Sequence, residues 1–267
     1  MTRVLLVGCG KMGSALLSGW LDRGAAPADV VVVEPGEAAA AFASRGVSVV
    51  AAAETVPAAF RPDVVVLAVK PQVMAAAAAP YARYSDAVFL SIAAGKTLGF
   101  FTGLLGAGAA IVRAMPNTPA AVRRGITVCV ANPQVDAARR AACQTLLEAV
   151  GEVAWTEEEG LMDAVTAVSG SGPAYVFLLA EALAAAGAAA GLPAGLADRL
   201  ARATVAGAGE LLHRSPDSAA QLRVNVTSPG GTTAAALAVL MAEGGGMAPL
   251  LTEAVAAATR RGRELAG

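Results

Sequence analysis

The chain has 267 residues, and its 20 Lys and Arg residues nearly balance its 21 Asp and Glu residues, giving a formal net charge of −1. Because no basic run occurs, nucleic acid is not expected as a partner. The 3 cysteines are widely spaced, and there is 1 histidine. These residues fit neither a disulfide framework nor a zinc site, so we predict no bound metal.

Hydrophobic residues make up 56% of the chain, which raises the question of a membrane-spanning helix. The longest apolar stretch, AYVFLLAEALAAAGAAAGL from Ala174, is interrupted by Glu181 and by glycines. A spanning helix needs about 20 clearly apolar residues, so we predict that no membrane is involved. The N-terminal apolar core, VLLV, is too short for a signal peptide, and we expect a cytoplasmic protein.

Short apolar runs occur throughout the first 156 residues, with helical segments between most of them. They are rich in valine and isoleucine and do not alternate with polar residues, which is typical of strands buried on both faces. We therefore predict an α/β fold, with a Rossmann-like doubly wound parallel sheet over residues 1–156. The runs are VLLV (4–7), VVVVE (30–34), VSVV (47–50), DVVVLAV (63–69), AVFLSIA (87–93), AIVRAM (110–115), ITVCVAN (126–132) and GEVAWT (151–156).

From Glu157 onward the chain shows no convincing strand. We predict an all-helical second domain over residues 157–267, and its many apolar faces indicate dimerisation. His213 ends one of its helical segments, where its side chain faces helix carbonyls. Ser171 and Pro173 mark the start of the longest segment as N-cap and early helical proline. The four long Ala- and Leu-rich segments are 173–190, 194–213, 232–243 and 248–265.

Gly8, Gly10 and Gly13 form the pattern G-x-G-x-x-G between the first predicted strand and a helix. In that context the pattern predicts dinucleotide binding, because the glycines let the backbone approach a pyrophosphate at the helix N-terminus. Glu34 ends the second strand, where a carboxylate accepts hydrogen bonds from ribose hydroxyls and repels a 2′-phosphate. Glu34 therefore favours NADH, and Arg45 is the nearby cation that leaves the preference open.

The chain has only three lysines, Lys11, Lys70 and Lys96, and each follows a predicted strand. The carboxyl ends of parallel strands share the edge where ligands bind, so these lysines either rim a cofactor crevice or lie there by chance. Asn117, in the loop MPNTPA, has a donor and an acceptor that suit the carboxamide of nicotinamide. An Asx-type turn explains the same residue equally well.

The motifs GCGKMG, LAVKPQ, SIAAGKTL, VRAMPNTPA, SGSGPAYVFLLAEAL and SPGGTTAAAL occur in this order. In order and spacing, the chain resembles the pyrroline-5-carboxylate reductase family from Val4 to about Glu264. The resemblance implies a Rossmann domain, helical domains that interlock in a homodimer, and commonly a homodecamer of five dimers. It also implies hydride transfer from NADPH or NADH to the C=N carbon of L-1-pyrroline-5-carboxylate, giving L-proline.

The resemblance assigns site residues by position. Thr233 is the polar group nearest the ring nitrogen of the substrate and is therefore the catalytic candidate. The implied substrate-binding residues are Ser228, Gly230, Gly231, Thr232 and Thr233, which form a glycine-rich turn feeding a helix. The implied cofactor-binding residues, to which the MPNTPA loop adds Asn117, are Val7, Gly8, Cys9, Gly10, Lys11, Met12, Glu34, Gly36, Ala68, Val69, Lys70, Pro71, Ile92, Ala93 and Ala94.

The residue inventory suits imine reduction. A protonated imine accepts a hydride without a nucleophile or a metal, provided that the reacting carbons are aligned about 3–3.5 Å apart. Two departures from the family concern the cofactor. Members that prefer NADPH often have Ser, Asn or Arg where Glu34 stands, and many have Asn near the adenosine ribose where this chain has Ala52 or Ala53.

Three alternative functions are weighed against this one. The first is another imine or β-hydroxyacid reductase, but the hydroxyacid enzymes usually place a catalytic lysine on the first long helix of the second domain. This chain has no lysine after Lys96. The second is a non-catalytic NAD(P)-binding sensor, which would need the glycine loop but not SPGGTT. The third is a structural helical oligomer, which would leave the glycine loop unexplained.

Overall fold

The computed structural model describes residues 2–266, so residues 1 and 267 of the two predicted domains lie outside the described residues. The chain forms two compact units. The first contains the chain up to Gly170 and again from Thr259, and the second is Ser171–Ala258. Residues 157–170 thus group with the first unit, and the predicted domain boundary at 156/157 stays a prediction.

An eight-stranded sheet forms the centre of the first unit, which confirms the predicted α/β class and doubly wound architecture. The order of the strands is β3-β2-β1-β4-β5-β6-β7-β8. The strand order reverses between β1 and β4, so a dinucleotide crevice is expected at their carboxyl ends. The strands are β1 (Val4–Val7), β2 (Val30–Val33), β3 (Ser48–Val50), β4 (Val64–Leu67), β5 (Val88–Ser91), β6 (Ala110–Met115), β7 (Gly125–Ala131) and β8 (Gly151–Trp155).

The last two strands depart from a purely parallel sheet. Strands β1 to β6 are parallel, whereas β7 pairs antiparallel with β6 and β8 pairs parallel with β7. The connection from β6 to β7 contains only the 3₁₀ turn Thr118–Val122. A parallel pair needs a crossover of a dozen or more residues, so the short MPNTPA loop forces the chain to reverse direction.

Helices pack on both faces of the sheet, which explains why the central strands β1, β2 and β4 are apolar at every position. Leu16 and Leu17 pack with Leu6 on one face, and Phe101 packs with Leu67 on the other. The helices are α1 (Lys11–Asp22), α2 (Ala40–Ala43), α3 (Met74–Ala78), α4 (Leu98–Leu105), α5 (Ala137–Glu148) and α6 (Met162–Val165), and α6 continues into the π turn Thr166–Gly170.

The second unit is helical, as predicted. Its helices are α7 (Gly172–Ala189), α8 (Ala194–Arg214), α9 (Ala219–Asn225), α10 (Thr232–Leu240) and most of α11 (Met247–Ala266). Four of them match predicted segments, and His213 lies in the last turn of α8 as expected. Helix α9 was not predicted, although its capping residue, Ser218, accepts a hydrogen bond from the Gln221 amide at 3.2 Å.

Helix α7 is strongly apolar and exposed along its length. By length and composition, the helical stretch Glu159–Ala189 is sufficient to cross a membrane, with a mean hydropathy of 1.4. Phe177 and Leu178 on α7 are 67% and 62% exposed. The predicted cap by the Ser171 side chain does not form, because the preceding π turn already leads the backbone into the helix.

Candidate functional site

The three glycines of the first loop differ in what a side chain at each position would contact. Gly8 has φ +90°, and a Cβ atom there would lie 2.8 Å from Val69 Cγ1. A Cβ atom on Gly13 would lie 2.5 Å from the Gly8 carbonyl oxygen, so this glycine permits close packing of helix on strand. A Cβ atom on Gly10 would meet nothing within 4 Å. Gly10 therefore faces open space, where a ligand can approach the backbone.

Gly10 is also the N-cap of α1, and no side chain caps this helix. The first amides of α1 are therefore left without side-chain acceptors at the positive end of the helix dipole. Lys11, the first residue of α1, is exposed. This arrangement is an anion site of the kind that holds a pyrophosphate.

A cleft of about 470 Å³ opens beside the glycine loop, at the carboxyl ends of β1, β2 and β4. Seven of the predicted cofactor residues line it, namely Val7, Gly8, Gly10, Glu34, Ala68, Val69 and Lys70. Ala53, which the family comparison placed near the adenosine ribose, also lines the cleft. The remaining lining was not predicted and consists of Val33, Pro35, Glu54, Val73, Ala76, Ala77, Pro80 and Tyr81. Burial raises the pKa of Tyr81 to about 12, so its hydroxyl stays protonated.

Glu34 is fixed in this cleft by two backbone amides. The Cys9 amide donates to Oε2 at 2.7 Å, and the Gly36 amide donates to Oε1 at 3.0 Å. Arg45 is engaged elsewhere, because its Nη2 lies 2.9 Å from Asp22 Oδ1. That hydrogen bond is the main reason why the pKa of Asp22 is lowered. Arg45, the cation that left the choice between NADH and NADPH open, thus pairs with Asp22.

The other predicted cofactor residues lie outside the lining of this cleft. The Cys9 thiol is fully buried, and the amides of Cys9 and Gly36 donate hydrogen bonds to the Glu34 carboxylate. Lys11 lines a smaller recess of about 220 Å³ together with Asp22 and Arg123. Apart from Asn117, the remaining predicted cofactor residues are Met12, Pro71 and residues 92–94. Residues 92–94 follow β5 on the same edge of the sheet.

The three lysines follow β1, β4 and β5, which are neighbours in the sheet. Only Lys70 lines the cleft described above. Lys96 instead lies over an aromatic ring, with Nζ 4.8 Å from the centroid of Phe100. The three lysines therefore follow strands at one edge of the sheet, but they do not line a common cleft.

Asn117 is buried after β6, and its side chain stabilises the loop. Its Oδ1 accepts a hydrogen bond from the Ile126 amide at 3.0 Å. This long-range bond differs from the local Asx turn that the sequence also allowed, since the side chain does not cap the adjoining 3₁₀ turn. The Nδ2 group has no partner within residues 2–266, so it remains a donor for a ligand.

In the second unit, SPGGTT forms the predicted turn and helix start. Gly230 has φ +69°, Gly231 is the N-cap of α10, and no side chain caps this helix. The Gly231 amide donates to the Ser228 carbonyl at 3.1 Å. A side chain on Gly231 would collide with Ser228 Oγ. The turn therefore presents open amides next to a serine hydroxyl.

The hydroxyls of Ser228 and Thr233 form no hydrogen bonds within the part of the chain that the structure describes. Threonines elsewhere in the helices behave differently. Thr102 and Thr252, for example, donate to the carbonyls of Leu98 and Ala248 at 2.9 Å. Thr233 lies in the first turn of α10, so its hydroxyl remains available for a ligand.

Sequence reasoning missed an ion pair between the buried Arg113 on β6 and the half-buried Glu159. Arg113 Nη1 donates to Glu159 Oε1 at 2.9 Å, and the arginine side chain is 5% exposed. The signal was present, because a charged residue inside the apolar run AIVRAM needs a buried partner.

The cysteines offer no nucleophile. Cys9, Cys129 and Cys143 are free and buried, and burial raises the pKa of each thiol. Within residues 2–266, no group of three His, Cys, Asp or Glu side chains is placed to hold a metal. The chemistry that these residues offer is anion binding at two uncapped helix N-termini and hydrogen bonding by hydroxyls.

Two family models match the chain. The model for "Pyrroline-5-carboxylate reductase dimerisation" matches residues 159–265, and "NADP oxidoreductase coenzyme F420-dependent" matches residues 3–95. The first includes SPGGTT and all of α7 to α10, and the second includes the glycine loop and Glu34.

Similar proteins match almost end to end. A pyrroline-5-carboxylate reductase of Pseudomonas aeruginosa is 40% identical over 267 residues, covering 99% of this chain and 97% of its own. The structure of a Coxiella burnetii pyrroline-5-carboxylate reductase is 34% identical, with a TM-score of 0.93 and coverage of 100% and 99%. A Plasmodium falciparum pyrroline carboxylate reductase with NADP bound is 28% identical, with a TM-score of 0.82 and coverage of 100% and 98%.

Proposed function

This chain belongs to the pyrroline-5-carboxylate reductase family, and from that membership we propose how its residues work. The chain is an oligomeric oxidoreductase that uses a nicotinamide cofactor and reduces L-1-pyrroline-5-carboxylate to L-proline. The observation that carries the residue roles is a pair of uncapped helix N-termini, at α1 and at α10. Each supplies amides for one of the two anionic reactants.

The turn before α10 holds the carboxylate of the substrate. The amides of Gly230, Thr232 and Thr233 and the Ser228 hydroxyl form the cradle, while the Gly231 amide closes the turn by donating to the Ser228 carbonyl. Support comes from the absence of a capping side chain and from the positive end of the helix dipole. An exposed serine hydroxyl without a partner in the described chain fits a group that hydrogen-bonds to a ligand.

The Thr233 hydroxyl bonds the ring nitrogen of the substrate. Its half-buried position and its lack of a helix carbonyl as partner support this role. The bound cofactor supplies the hydride, and the chain aligns the two reacting carbons. Since the imine nitrogen is protonated before reduction, the chain needs no histidine or cysteine base. Hydride transfer to the protonated imine gives the neutral amine directly, and the second proton, which forms the ammonium product, comes from water or from a hydroxyl.

The cleft beside the glycine loop holds the adenosine side of the cofactor, with the pyrophosphate at the N-terminus of α1. Glu34 bonds the ribose hydroxyls, so NADH is used at least as well as NADPH. Two further observations support this preference. Arg45 is paired with Asp22, and Glu54 adds a second carboxylate to the same cleft. Asn117 contributes its free Nδ2 donor to the nicotinamide carboxamide.

The chain forms a homodimer through its helical unit, and five dimers form a decamer in the cytoplasm. Support comes from large apolar side chains exposed along the helices. Those on α7, α8 and α11 include Val176, Phe177, Leu178, Leu179, Leu183, Leu200, Leu211, Leu250 and Leu251. A soluble monomer rarely exposes apolar patches of this kind. Sedimentation of the purified protein measures the assembly directly.

The decisive experiment adds L-1-pyrroline-5-carboxylate to the purified chain with NADH or NADPH and follows cofactor oxidation together with L-proline formation. We expect turnover with both cofactors. A 2-oxo acid is the matched control and should not be reduced, because reduction of a ketone needs an acid near the alkoxide. Tight NADH binding without turnover would instead identify a cofactor sensor.

A further inference from the structure

The part-buried ion pair Arg113–Glu159 includes a third group, a backbone amide. Glu159 Oε1, which accepts from Arg113 Nη1 at 2.9 Å, also accepts from the Leu98 amide at 2.8 Å. Leu98 is the first residue of α4. One carboxylate oxygen thus joins a β6 side chain to the start of a helix, at the helix end where negative charge is stabilised.

Arg113 also lies beside the other end of the segment that leads into α4. In the sheet, Arg113 on β6 is in register with Ser91, the last residue of β5. Ser91 is fully buried, and its Oγ accepts from the Ala93 amide at 3.3 Å. The loop of residues 92–97 runs from Ser91 to Leu98. Its start therefore lies next to Arg113, and its end is held by Glu159.

This loop lies on the nicotinamide half of the crevice. A dinucleotide crosses the sheet edge at the point where the strand order reverses. Glu34, the proposed partner of the adenosine ribose, follows β2 on one side of that point, which assigns nicotinamide to the side of β4, β5 and β6. The loop carries Ile92, Ala93 and Ala94, three of the proposed cofactor residues.

We infer that Arg113 and Glu159 are positioning residues that hold the loop 92–97 in place for the nicotinamide half of the cofactor. The inference rests on the proposed function. Neither side chain touches the reacting atoms. Arg113 fixes the orientation of the Glu159 carboxylate through a charge-assisted hydrogen bond, and the carboxylate fixes the first amide of α4. No second acceptor for the Leu98 amide is found within residues 2–266.

The test compares NADH with ADP-ribose, which has the adenosine and pyrophosphate groups but lacks nicotinamide. The dissociation constant of each is measured on the purified full chain by titration. Glu159→Gln keeps the size of the side chain and an oxygen acceptor but removes the charge. We expect it to raise the Kd of NADH about tenfold, which corresponds to one lost charge-assisted bond. The Kd of ADP-ribose should change less than about twofold.

Glu157→Gln is the matched control. Glu157 lies two positions away and pairs with Arg140 at 3.2 Å, but its side chain is 83% exposed. This variant should leave both dissociation constants unchanged, because exposed ion pairs contribute little. Arg113→Lys keeps the charge without the forked geometry, and it should show a smaller change than Arg113→Met.

The possible outcomes distinguish a failure of the positioning role from a failure of the proposed function. If Glu159→Gln and Arg113→Lys bind NADH like the wild type, or weaken NADH and ADP-ribose equally, the positioning role is refuted. A wild-type chain that neither binds NADH nor reduces the imine would refute the proposed function itself. A purely structural role for the pair lowers the melting temperature but leaves the ratio of the two dissociation constants unchanged.

Discussion

Glu34 and Cys9 are joined by a hydrogen bond of 2.7 Å from the Cys9 amide to Glu34 Oε2. The bond ties the acid at the end of β2 to the loop that begins α1. The carboxylate is therefore held in a fixed position in the cleft. A group so fixed discriminates between cofactors more sharply than a mobile surface acid, since it cannot turn away from a 2′-phosphate.

Replacing Glu34 should change cofactor preference. The wild type is expected to use NADH at least as well as NADPH, and Glu34→Gln should raise kcat/KM for NADPH by about tenfold, because like-charge repulsion is removed. Glutamine keeps an acceptor for the Cys9 amide. Glu37→Gln, an exposed acid nearby, is the control. A strong NADPH preference in the wild type would contradict the role of Glu34.

Alanine substitutions at two glycines should have different effects, one on NADH affinity and the other on stability. Gly10→Ala places a methyl group in open space, so the melting temperature should stay near that of the wild type while the Kd of NADH rises about tenfold or more. Gly13→Ala places a methyl group 2.5 Å from the Gly8 carbonyl oxygen, so the fold itself should be destabilised. Thermal unfolding and NADH titration distinguish the two. Unchanged NADH affinity in Gly10→Ala would argue against ligand approach at this position.

Thr233→Ala should lower kcat/KM for the imine by ~10²-fold, the size of one lost transition-state hydrogen bond. Thr233→Ser keeps the hydroxyl and should retain most of the activity. Thr252→Ala removes a hydroxyl that bonds only to its own helix, at 2.9 Å from the Ala248 carbonyl, and serves as the control. Wild-type kinetics in Thr233→Ala would rule out a catalytic contribution from this residue.

Stability should fall in alkaline solution because the buried thiols resist ionisation. Burial raises the pKa of Cys143 from 9.0 to about 12 and raises that of Cys129 as well. Above pH 9 the unfolded chain loses thiol protons that the folded chain retains, so the free energy of unfolding declines as pH rises. The decline is about 1.4 kcal/mol per pH unit for each thiol.

Urea unfolding from about pH 8 to pH 10 measures this decline. Cys143→Ala should show a smaller slope than the wild type. Equal slopes in the two proteins would contradict the thiol explanation.

Local patterns predicted most of the fold. Seven of the eight strands lie within the predicted apolar runs, and β7 begins one residue before its run, at Gly125. Strands buried on both faces leave largely apolar sequences, which makes them easy to predict. The direction of β7 was not predictable in that way, since strand polarity depends on the length of the connection rather than on the strand itself. Helix α9 was missed because AAQLRVN is short and only weakly periodic.

The site was predictable where function depends on the backbone. The spacing of Gly8, Gly10 and Gly13, together with their place between a strand and a helix, predicted a dinucleotide site. The partner of a buried charge is harder to predict, because Glu159 lies 46 residues from Arg113 and only the folded sheet brings them together. The engagement of Arg45 by Asp22 is another case, since nothing in the sequence distinguishes a free arginine from a paired one.

The path of α11 has a practical consequence. The chain leaves the sheet unit after Gly170 and rejoins it at Thr259, so the helical unit is an insertion within the sheet unit. The Leu265 carbonyl oxygen lies 3.6 Å from the position that a Cβ atom would take on Gly95, in the loop 92–97. The final turns of α11 therefore lie beside the loop that we assign to nicotinamide. A sheet fragment cut after residue 170 would lack these turns, although they belong to the same compact unit.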